Sequence, residues 1–472
     1  MKNVNKHAIQ DAVTAGKQHN YNEIVEFLDA HWSTNTADTS LHCIKQLDKA
    51  FGSISQKLQT ILIGGTNGKS LTINFTAKLL TDEGLKVGTF YAPHILTYNE
   101  RLSINNETIS NKTFTELGNE VIAMAESLNV TPNSFDILTM MALLFFHHHN
   151  VDVALLEVSN GGQANATAIC SPKIAAITRI TMDDATLSED ATYAIIKDML
   201  GIVKPTTHVV SADQSKLYLQ TMMSVVKEKG GTWGMPIRKL APLGYPLEQL
   251  HGRCAALAER IAYVYINNCA GKDAVVVTGT LLTKQKGRRG RPTLEAKRQS
   301  ELNPKKTLEQ FWKDTPPSLP GRFQILDKEK PTLLLDNAHN LDAFKNLLLG
   351  IRLLHYQRPL KGLTLLIGCN NNALDISEFL KLLRYFFKKT SGSVILCPVT
   401  PVPGQKGDSS WDIEKVINDT KSMKIKAKSV KNFKEGFDTA IKSVDERHGL
   451  VVVTGSPAII SEYWRYKGVK KL

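Results

Sequence analysis

The chain has 472 residues, of which 42% are hydrophobic and 22% are charged. These fractions are ordinary for globular proteins and exclude a largely disordered chain or a fibrous repeat. Lysine and arginine number 58 against 45 acidic residues, so the formal net charge is +13. A basic surplus of this size indicates an anionic partner, such as a nucleotide, a nucleic acid or an acidic metabolite.

The cysteines and the apolar runs indicate a cytoplasmic protein. Six scattered cysteines without a CxxC spacing predict reduced thiols. The first residues lack the apolar run of a signal peptide. The longest apolar run, residues 137–146, is about half a membrane span, so we expect no membrane association.

Helix and strand patterns alternate along the first part of the chain. Residues 1–55 are polar and predicted helical, and the apolar run 59–63 is typical of a buried strand. A helix over 70–83 and a strand over 86–91 follow. Further segments continue the alternation, with helices at 136–149, 191–203 and 248–267 and strands at 151–158, 173–180 and 208–210. This order predicts an α/β fold with a parallel sheet.

A basic stretch interrupts the alternation and divides the chain. Residues 284–306 hold nine basic and two acidic residues, about half of the net charge. We predict that 284–318 is a basic linker or surface insertion because it is polar and contains prolines. The alternation restarts with strands near 332–336, 363–367, 393–397 and 450–453. The predicted domains are therefore 1–283 and 319–472, the second smaller than the first.

The strongest local motif is a glycine-rich loop between a predicted strand and a predicted helix. It reads Gly64-Gly-Thr-Asn-Gly-Lys-Ser70. Glycines let backbone N–H groups approach phosphate oxygens, and the helix N-terminus and the lysine add positive charge. The full Walker A pattern needs glycine where this chain has Ile63, so the match is to the shorter variant GTNGK[ST]. The loop predicts ATP binding.

Six further motifs follow the loop in order and give the chain a family resemblance. They are YAPHILTYNERLSIN at 91–105, EVSNGGQANAT at 157–167, GIVKP at 201–205, PGRFQ at 320–324, DNAHN at 336–340 and GS at 455–456. Each is short, but together with GTNGKS they are collinear over most of the chain. The chain resembles the dihydrofolate synthase/folylpolyglutamate synthase family of the Mur ligase superfamily.

This resemblance implies a fold and an activity. The expected architecture is an N-terminal P-loop-type parallel-sheet ATPase domain followed by a smaller C-terminal Rossmann-like α/β domain. The expected enzyme is an ATP-dependent ligase of folate metabolism that uses Mg²⁺. It would add L-glutamate to dihydropteroate, to (poly)glutamylated folates, or to both, through an acyl phosphate. Family membership also implies a cytoplasmic monomer.

The resemblance further implies roles for individual residues. Lys69, Glu157 and His339 would be catalytic. The ATP-binding set would be Gly65, Thr66, Asn67, Gly68, Lys69, Ser70, Arg322, Asp336 and His339. The ligands of Mg²⁺, all bearing oxygen atoms, would be Ser70, Glu157 and Asp184. The folate or pterin side would be lined by Pro93, His94, Arg101, Phe135, Asn165 and Ala166.

The chain departs from the family's pattern near the expected chemistry. Ala92 stands for the serine of the SPH motif, Asp184 for a metal-binding histidine, and Met199 for a lysine that many members carbamylate. Asn165 replaces an aspartate, and Cys254 aligns with an adenine-side asparagine. We therefore expect intact ATP and first Mg²⁺ sites and a rebuilt or lost second metal site.

Three other interpretations remain open at this point. The chain could be a divergent Mur-type amide ligase for another carboxylate, or a nucleotide-binding descendant without activity. The segment 286–292, KGRRGRP, resembles an AT-hook core that enters the A·T minor groove. One short motif in a basic stretch is weak support for nucleic-acid binding, and we expect none.

Overall fold

The computed structural model describes residues 17–32, 41–159, 161–181, 189–212, 214–270, 308, 311–312, 319–368, 374–400 and 411–472. These residues form two α/β bodies, each built around a mostly parallel sheet. Within the described ranges, the helices are all too short or too polar to cross a membrane.

The first body contains an eight-stranded sheet in the order β4-β3-β2-β5-β1-β6-β7-β8. Its strands are β1 (Thr60–Gly64), β2 (Val87–Phe90), β3 (Leu102–Ile104), β4 (Glu107–Thr108), β5 (Val153–Glu157), β6 (Ile174–Ile177), β7 (His208–Ser211) and β8 (Thr232–Trp233). Among the described residues of this sheet, only the pairings of β3 with β2 and β4 are antiparallel. β1 lies between β5 and β6, so the phosphate loop that follows it leaves the middle of the sheet.

Helices cover both faces of this sheet. They are α1 (Tyr21–Ala30), α2 (His42–Ala50), α3 (Lys69–Asp82), α4 (Asn111–Ser127), α5 (Ser134–His148), α6 (Glu189–Met199), α7 (Lys216–Glu228) and α8 (Leu247–Tyr265). Alternate side chains of β1 point to opposite faces of the sheet. Leu62 packs in the hydrophobic core on one face, and Ile61 and Ile63 pack in the core on the other. The strand is buried on both faces, as expected for a parallel sheet.

The second body contains a six-stranded sheet in the order β13-β12-β11-β14-β10-β9. Its strands are β9 (Gln324–Leu326), β10 (Thr332–Asp336), β11 (Leu363–Ile367), β12 (Ser393–Leu396), β13 (Ala427–Ser429) and β14 (Leu450–Thr454). Its helices are α9 (Leu341–Gln357), α10 (Ile376–Phe387), α11 (Ile413–Ser422), α12 (Phe433–Lys442) and α13 (Pro457–Tyr466). Of the strands that the structure describes in this sheet, only β9 runs antiparallel to its neighbour. The predicted fold class, two α/β parts with parallel-rich sheets, is confirmed.

The end of the predicted linker is part of the first core. Phe311 and Trp312 are buried against α3 and α8. The Trp312 ring meets Phe75 edge-on at 5.2 Å, and its Nε1–H donates to Glu259 Oε1 at 2.7 Å. The expectation of a surface segment throughout 284–318 is therefore wrong at this point, because two large rings and a satisfied indole N–H favour burial. The basic stretch 284–306 and the AT-hook-like motif lie outside the described residues.

Candidate active site

A cavity of about 1280 Å³ lies between the two bodies, at the carboxyl ends of their parallel strands. The phosphate loop follows β1, Glu157 ends β5, and Asp336 ends β10. Ligands of open α/β sheets collect at this edge, because loops and helix N-termini converge there. Both bodies therefore contribute to one site.

The phosphate loop depends on glycine at two positions. Gly65 and Gly68 have φ values of +128° and +89°, which side chains with a Cβ rarely adopt. A Cβ on Gly65 would also overlap Thr178 Oγ1, and one on Gly68 would lie 2.8 Å from Cys254 Sγ. The sequence motif is thus required by both backbone conformation and space.

Lys69 begins α3 and folds back over the loop. Its Nζ donates to the carbonyl oxygens of Gly65 and Thr66, at 3.0 and 3.2 Å. Burial lowers the pKa of Lys69, an effect that nearby Glu157 opposes. The ammonium group is therefore held at the loop by neutral acceptors and is available to a phosphate.

Glu157 is a buried carboxylate surrounded by donors and cations. Its Oε2 accepts from Ser70 Oγ at 2.9 Å and from the N–H of Ala92 at 3.3 Å, and its Oε1 lies 3.9 Å from Lys69 Nζ. Burial raises the pKa of Glu157, while Lys69 is the main group that lowers it. The Ser70 hydroxyl and this carboxylate are the oxygen donors that Mg²⁺ prefers, with phosphates and waters completing its shell.

The described residues supply few other metal ligands. Within those ranges, the structure contains no group of three or more His, Cys, Asp or Glu side chains that could hold a metal ion. Asp184, the third expected ligand, lies outside the described residues. Ser70 and Glu157 therefore fit a metal that is largely ligated by substrate and water.

Asp336 and Arg322 bring the second body to the phosphate loop. Asp336 accepts from the N–H groups of Phe323 and Ala338, at 2.8 and 2.9 Å, which fixes the turn that carries Arg322. Burial raises the pKa of Asp336 to about 6. Arg322 Nη2 then reaches Ser70 Oγ at 3.5 Å.

His339 lines the same cavity with a defined tautomer. Its Nδ1 lies 3.0 Å from the carbonyl oxygen of Asn337, which can only accept, so Nδ1 carries the hydrogen. Burial lowers the pKa of His339. A neutral imidazole with a free Nε2 lone pair results.

A side-chain network joins the loop to α9. Asn67 and Asn340 exchange two hydrogen bonds, and Asn67 Nδ2 also donates to Asp342 Oδ2 at 3.1 Å. Arg179 Nη1 lies 2.9 Å from Asp342 Oδ1. Sequence reasoning missed Arg179 and Asp342; an acid in the first turn of a helix is explained by the helix dipole alone and gives no sign of a distant arginine.

The residues expected on the folate side separate into two groups. Pro93, Arg101 and Phe135 line the cavity. His94 is buried behind it and accepts from Arg101 Nε at 3.0 Å. Asn165 and Ala166 are also buried behind the wall, where Asn165 caps a short 3-10 helix and donates to Ser159 at 3.2 Å. Only the first group is placed to touch a ligand directly.

Three further residues line the cavity at positions that matter for chemistry. Met199 lies beside Gly64, so the lysine that the resemblance implies is replaced by an uncharged thioether. Burial raises the pKa of Cys254 to about 11, which keeps this thiol protonated. His251, on the same helix, is 4% exposed and its Nδ1 has no hydrogen-bond partner among the described residues. No sequence motif pointed to His251.

Comparison with known proteins gives consistent matches. Residues 321–457 match the family described as Mur ligase, glutamate ligase domain. The dihydrofolate synthase/folylpolyglutamate synthase of Bacillus subtilis is 27% identical over 318 residues, 64% of this chain and 70% of that protein. The Haemophilus influenzae protein of the same name is 25% identical over 462 residues, 90% and 93% of the two chains. Mycobacterium tuberculosis folylpolyglutamate synthase complexed with ADP superposes with a TM-score of 0.73 at 20% identity, covering 95% and 98% of the chains.

The two-body fold with a phosphate loop at the interface defines a Mur-type ligase. Residues 321–457 of the second body match the glutamate ligase domain of that class. Over most of its length the chain is similar to proteins named dihydrofolate synthase/folylpolyglutamate synthase. The resemblance inferred from the seven motifs is confirmed.

Proposed function

We propose that this chain is an ATP-dependent ligase that joins the amine of L-glutamate to a carboxylate of dihydropteroate, of (poly)glutamylated folates, or of both. The observation that carries the proposal is the shared cavity, in which Lys69, Ser70 and Glu157 face Arg322 and His339 from the other body. Relatives named for these two activities, similar along most of their length, support the choice of substrates.

The reaction needs an activated carboxylate. Transfer of the γ-phosphoryl group from ATP gives an acyl phosphate and ADP. The amine of glutamate then attacks the acyl carbon, and the tetrahedral intermediate expels phosphate and loses a proton. The protein supplies mainly positioning and charge neutralisation in such a sequence.

The loop and its neighbours would handle the phosphates. Loop N–H groups and Lys69 would bind the β and γ phosphates, and Arg322 would neutralise charge on the transferred group. Mg²⁺, held by Ser70 and Glu157, would neutralise phosphate charge when bound. Arg322 already contacts Ser70 across the interface, so closure of the second body completes the site.

His339 and Asp336 would act from the second body. Asp336 holds the turn of Arg322 and so positions its guanidinium group. The free Nε2 of neutral His339 can accept a hydrogen bond or a proton in the cavity. We place the acceptor acid beside Pro93, Arg101 and Phe135, which line the cavity.

The catalytic unit we propose is a single cytoplasmic chain whose partners are these small molecules, without nucleic acid or membrane. Met199 and Ala92 support an altered or absent second metal position. The proposed domains, 1–283 and 319–472, agree with the separation of the two sheets.

The test is a glutamate-dependent phosphate-release assay with dihydropteroate and with reduced folates. We expect release that requires ATP, Mg²⁺ and glutamate together, and we expect Lys69→Ala to abolish it. Tight ATP binding without release from any pteridine acid would instead identify a nucleotide-binding descendant. Release with only non-pteridine acids would identify a ligase for another carboxylate.

A further inference from the structure

Ile95 belongs to the first body but is buried in the second. It lies in the 91–101 loop, which joins β2 to β3. Its side chain is 7% exposed and packs in a hydrophobic core whose other buried members all come from residues 333–463. The neighbouring Leu96 packs against the same core. The loop therefore carries an apolar contact from one body into the other.

The tip of this loop is held by the carboxylate of Glu100. Its Oε1 accepts from the N–H groups of Leu96 and Thr97, at 2.8 and 2.7 Å. Its Oε2 accepts from the N–H of Ile95 at 2.8 Å. Hydrogen bonds to a charged acceptor are stronger than neutral ones. All three lie within the first body, so they fix the backbone of Ile95 without help from the second.

Ile95 meets the second body at Gly321, the residue before Arg322. A Cβ on Gly321 would lie 3.5 Å from Ile95 Cδ1 and 3.3 Å from Ile460 Cγ2, on α13. The carbonyl oxygen of Gly321 accepts from the N–H of Asn337 at 2.9 Å, in the turn after β10. The backbone that leads into Arg322 is thus confined by one isoleucine from each body.

The guanidinium group of Arg322 has only long contacts among the described residues. Its Nη2 lies 3.5 Å from Ser70 Oγ, and its Nη1 lies 3.5 Å from the carbonyl oxygen of Gly321, both at the outer limit for a hydrogen bond. In the same ranges, no carboxylate pairs with it within 4.0 Å. The position of this group therefore depends on the backbone that carries it.

We propose that Ile95 is a positioning residue for Arg322. By filling the space beside Gly321, its side chain holds the next residue's guanidinium group over the phosphate loop, where the terminal phosphate of a nucleoside triphosphate would meet it. This inference rests on the nucleotide-binding part of the proposed function, in which Arg322 neutralises phosphate charge. Closely packed contacts transmit small displacements, so a gap beside Gly321 would shift the arginine.

Nucleotide binding tests this role without the ligase reaction. A non-hydrolysable ATP analogue and ADP, each with Mg²⁺, would be titrated into the full-length protein, following the heat of binding. Ile95→Ala removes the contact with Gly321, and Ile95→Leu keeps the apolar volume. Ile122→Ala is the matched control, because Ile122 is 2% exposed in a core of the first body and the same truncation there leaves Gly321 untouched.

We expect Ile95→Ala to raise the Kd of the ATP analogue by about tenfold, the size of one weakened hydrogen bond between an arginine and a phosphate. The Kd of ADP, which lacks the terminal phosphate, should stay within about twofold. Ile95→Leu should bring the Kd of the analogue to within about threefold of wild type. Ile122→Ala should lower the melting temperature but keep both Kd values within about twofold of wild type.

A double-mutant cycle shows whether Ile95 acts through Arg322. Arg322→Ala alone should raise the Kd of the ATP analogue by at least about tenfold. In that background, Ile95→Ala should change the Kd by less than about twofold, because the group that it positions is gone. Full additivity of the two changes would overturn the proposal. An equal loss of ATP-analogue and ADP binding in Ile95→Ala would also overturn it, since that result indicates a general disturbance of the cavity.

The outcomes separate this inference from the proposed ligase. An Arg322-dependent effect of Ile95→Ala, without phosphate release from any pteridine acid, would support the positioning role and contradict the ligase. Phosphate release by the wild type, with unchanged nucleotide Kd values in Ile95→Ala, would overturn the positioning role and leave the ligase intact. A wild-type protein that binds neither nucleotide would contradict both.

Discussion

Asn67 of the phosphate loop and Asn340 of the second body bind each other through two reciprocal side-chain hydrogen bonds, at 3.1 and 3.0 Å. Asn340 also caps α9, because its Oδ1 accepts from the N–H of Ala343 at 2.9 Å. The loop that would hold ATP phosphates is thus bonded directly to the first turn of a helix in the other body. Movement of one body relative to the other must break or reform this pair.

The first prediction concerns that pair. Asn340→Ser keeps an oxygen that can cap α9 but is too short to reach Asn67. Loss of two partly buried hydrogen bonds at about 0.5–1 kcal/mol each predicts a KM for ATP raised by about fivefold to thirtyfold. Steady-state kinetics at saturating glutamate would measure it, with the melting temperature as the control for folding. An unchanged KM for ATP would show that the pair does not assist closure.

The Arg179–Asp342 ion pair should contribute less free energy to ATP binding than the Asn67–Asn340 pair does. The Arg179 side chain is 58% exposed, so solvent screens the pair and we expect a coupling energy below about 1 kcal/mol. A double-mutant cycle of Arg179→Ala and Asp342→Asn in the ATP affinity would measure it, because asparagine keeps an acceptor for Asn67. The coupling should weaken further at high salt. A coupling above about 2 kcal/mol would contradict this description of a screened contact.

Glu157→Gln tests the expected metal ligand. The amide keeps one acceptor for Ser70 but removes the charge that would hold Mg²⁺, so we expect kcat to fall by at least about 100-fold and the Mg²⁺ requirement to rise. A Mg²⁺ titration of phosphate release measures both effects. Ser159→Ala, beside the same cavity, is the control and should keep the Mg²⁺ requirement of the wild type. A Glu157→Gln protein with normal Mg²⁺ dependence would exclude Glu157 as a ligand.

The raised pKa of Asp336 predicts that the stability of the protein depends on pH. Its folded-state pKa of about 6 exceeds the ordinary value of 3.8, so the folded protein binds this proton more tightly than the unfolded chain does. Between these two values stability therefore falls as pH rises, by up to about 3 kcal/mol from this group. An asparagine side chain does not titrate, so Asp336→Asn lacks this loss. The free energy of unfolding of the variant minus that of wild type should therefore increase as the pH rises from about 4 to about 6. Denaturant unfolding across this window measures the difference, and a constant difference would refute the assignment.

Trp312 should be essential for stability although it lies in a stretch with a linker-like composition. Trp312→Ala removes a fully buried ring and leaves Glu259 Oε1 without its indole donor, so we expect a loss of about 3–5 kcal/mol. Trp312→Phe keeps most of the packing with Phe75 and should cost less. Denaturant midpoints of the two variants give the comparison. A loss below about 1 kcal/mol in Trp312→Ala would contradict its place in the core.

The local features of the site could be predicted from sequence, because each rests on neighbouring residues. The loop between β1 and α3 needs glycines at 65 and 68 within a short strand–turn–helix, so its motif appears directly in the sequence. Glu157 could be predicted for the same reason, because it is the last residue of a continuous apolar strand. Collinear motifs extended this information to Arg322, Asp336 and His339.

The remaining features depend on contacts between distant segments. Trp32 reaches the cavity only because α1 is bonded to the 98–101 turn and to α5. Trp312 is buried because α3 and α8 leave space for it. Asn67 and Asn340 meet only when the second body lies against the first. Composition around 312 and periodicity around 32 carry no sign of these partners.

The central claim is glutamate ligation to a pteridine acid, and mass spectrometry of the product tests it most directly. The protein would be incubated with ATP, Mg²⁺, L-glutamate and either dihydropteroate or a reduced folate. We predict an acid that is heavier by one glutamyl residue, formed with one equivalent of phosphate and absent with Lys69→Ala. Unchanged pteridine acids in the presence of bound ATP and glutamate would contradict the account.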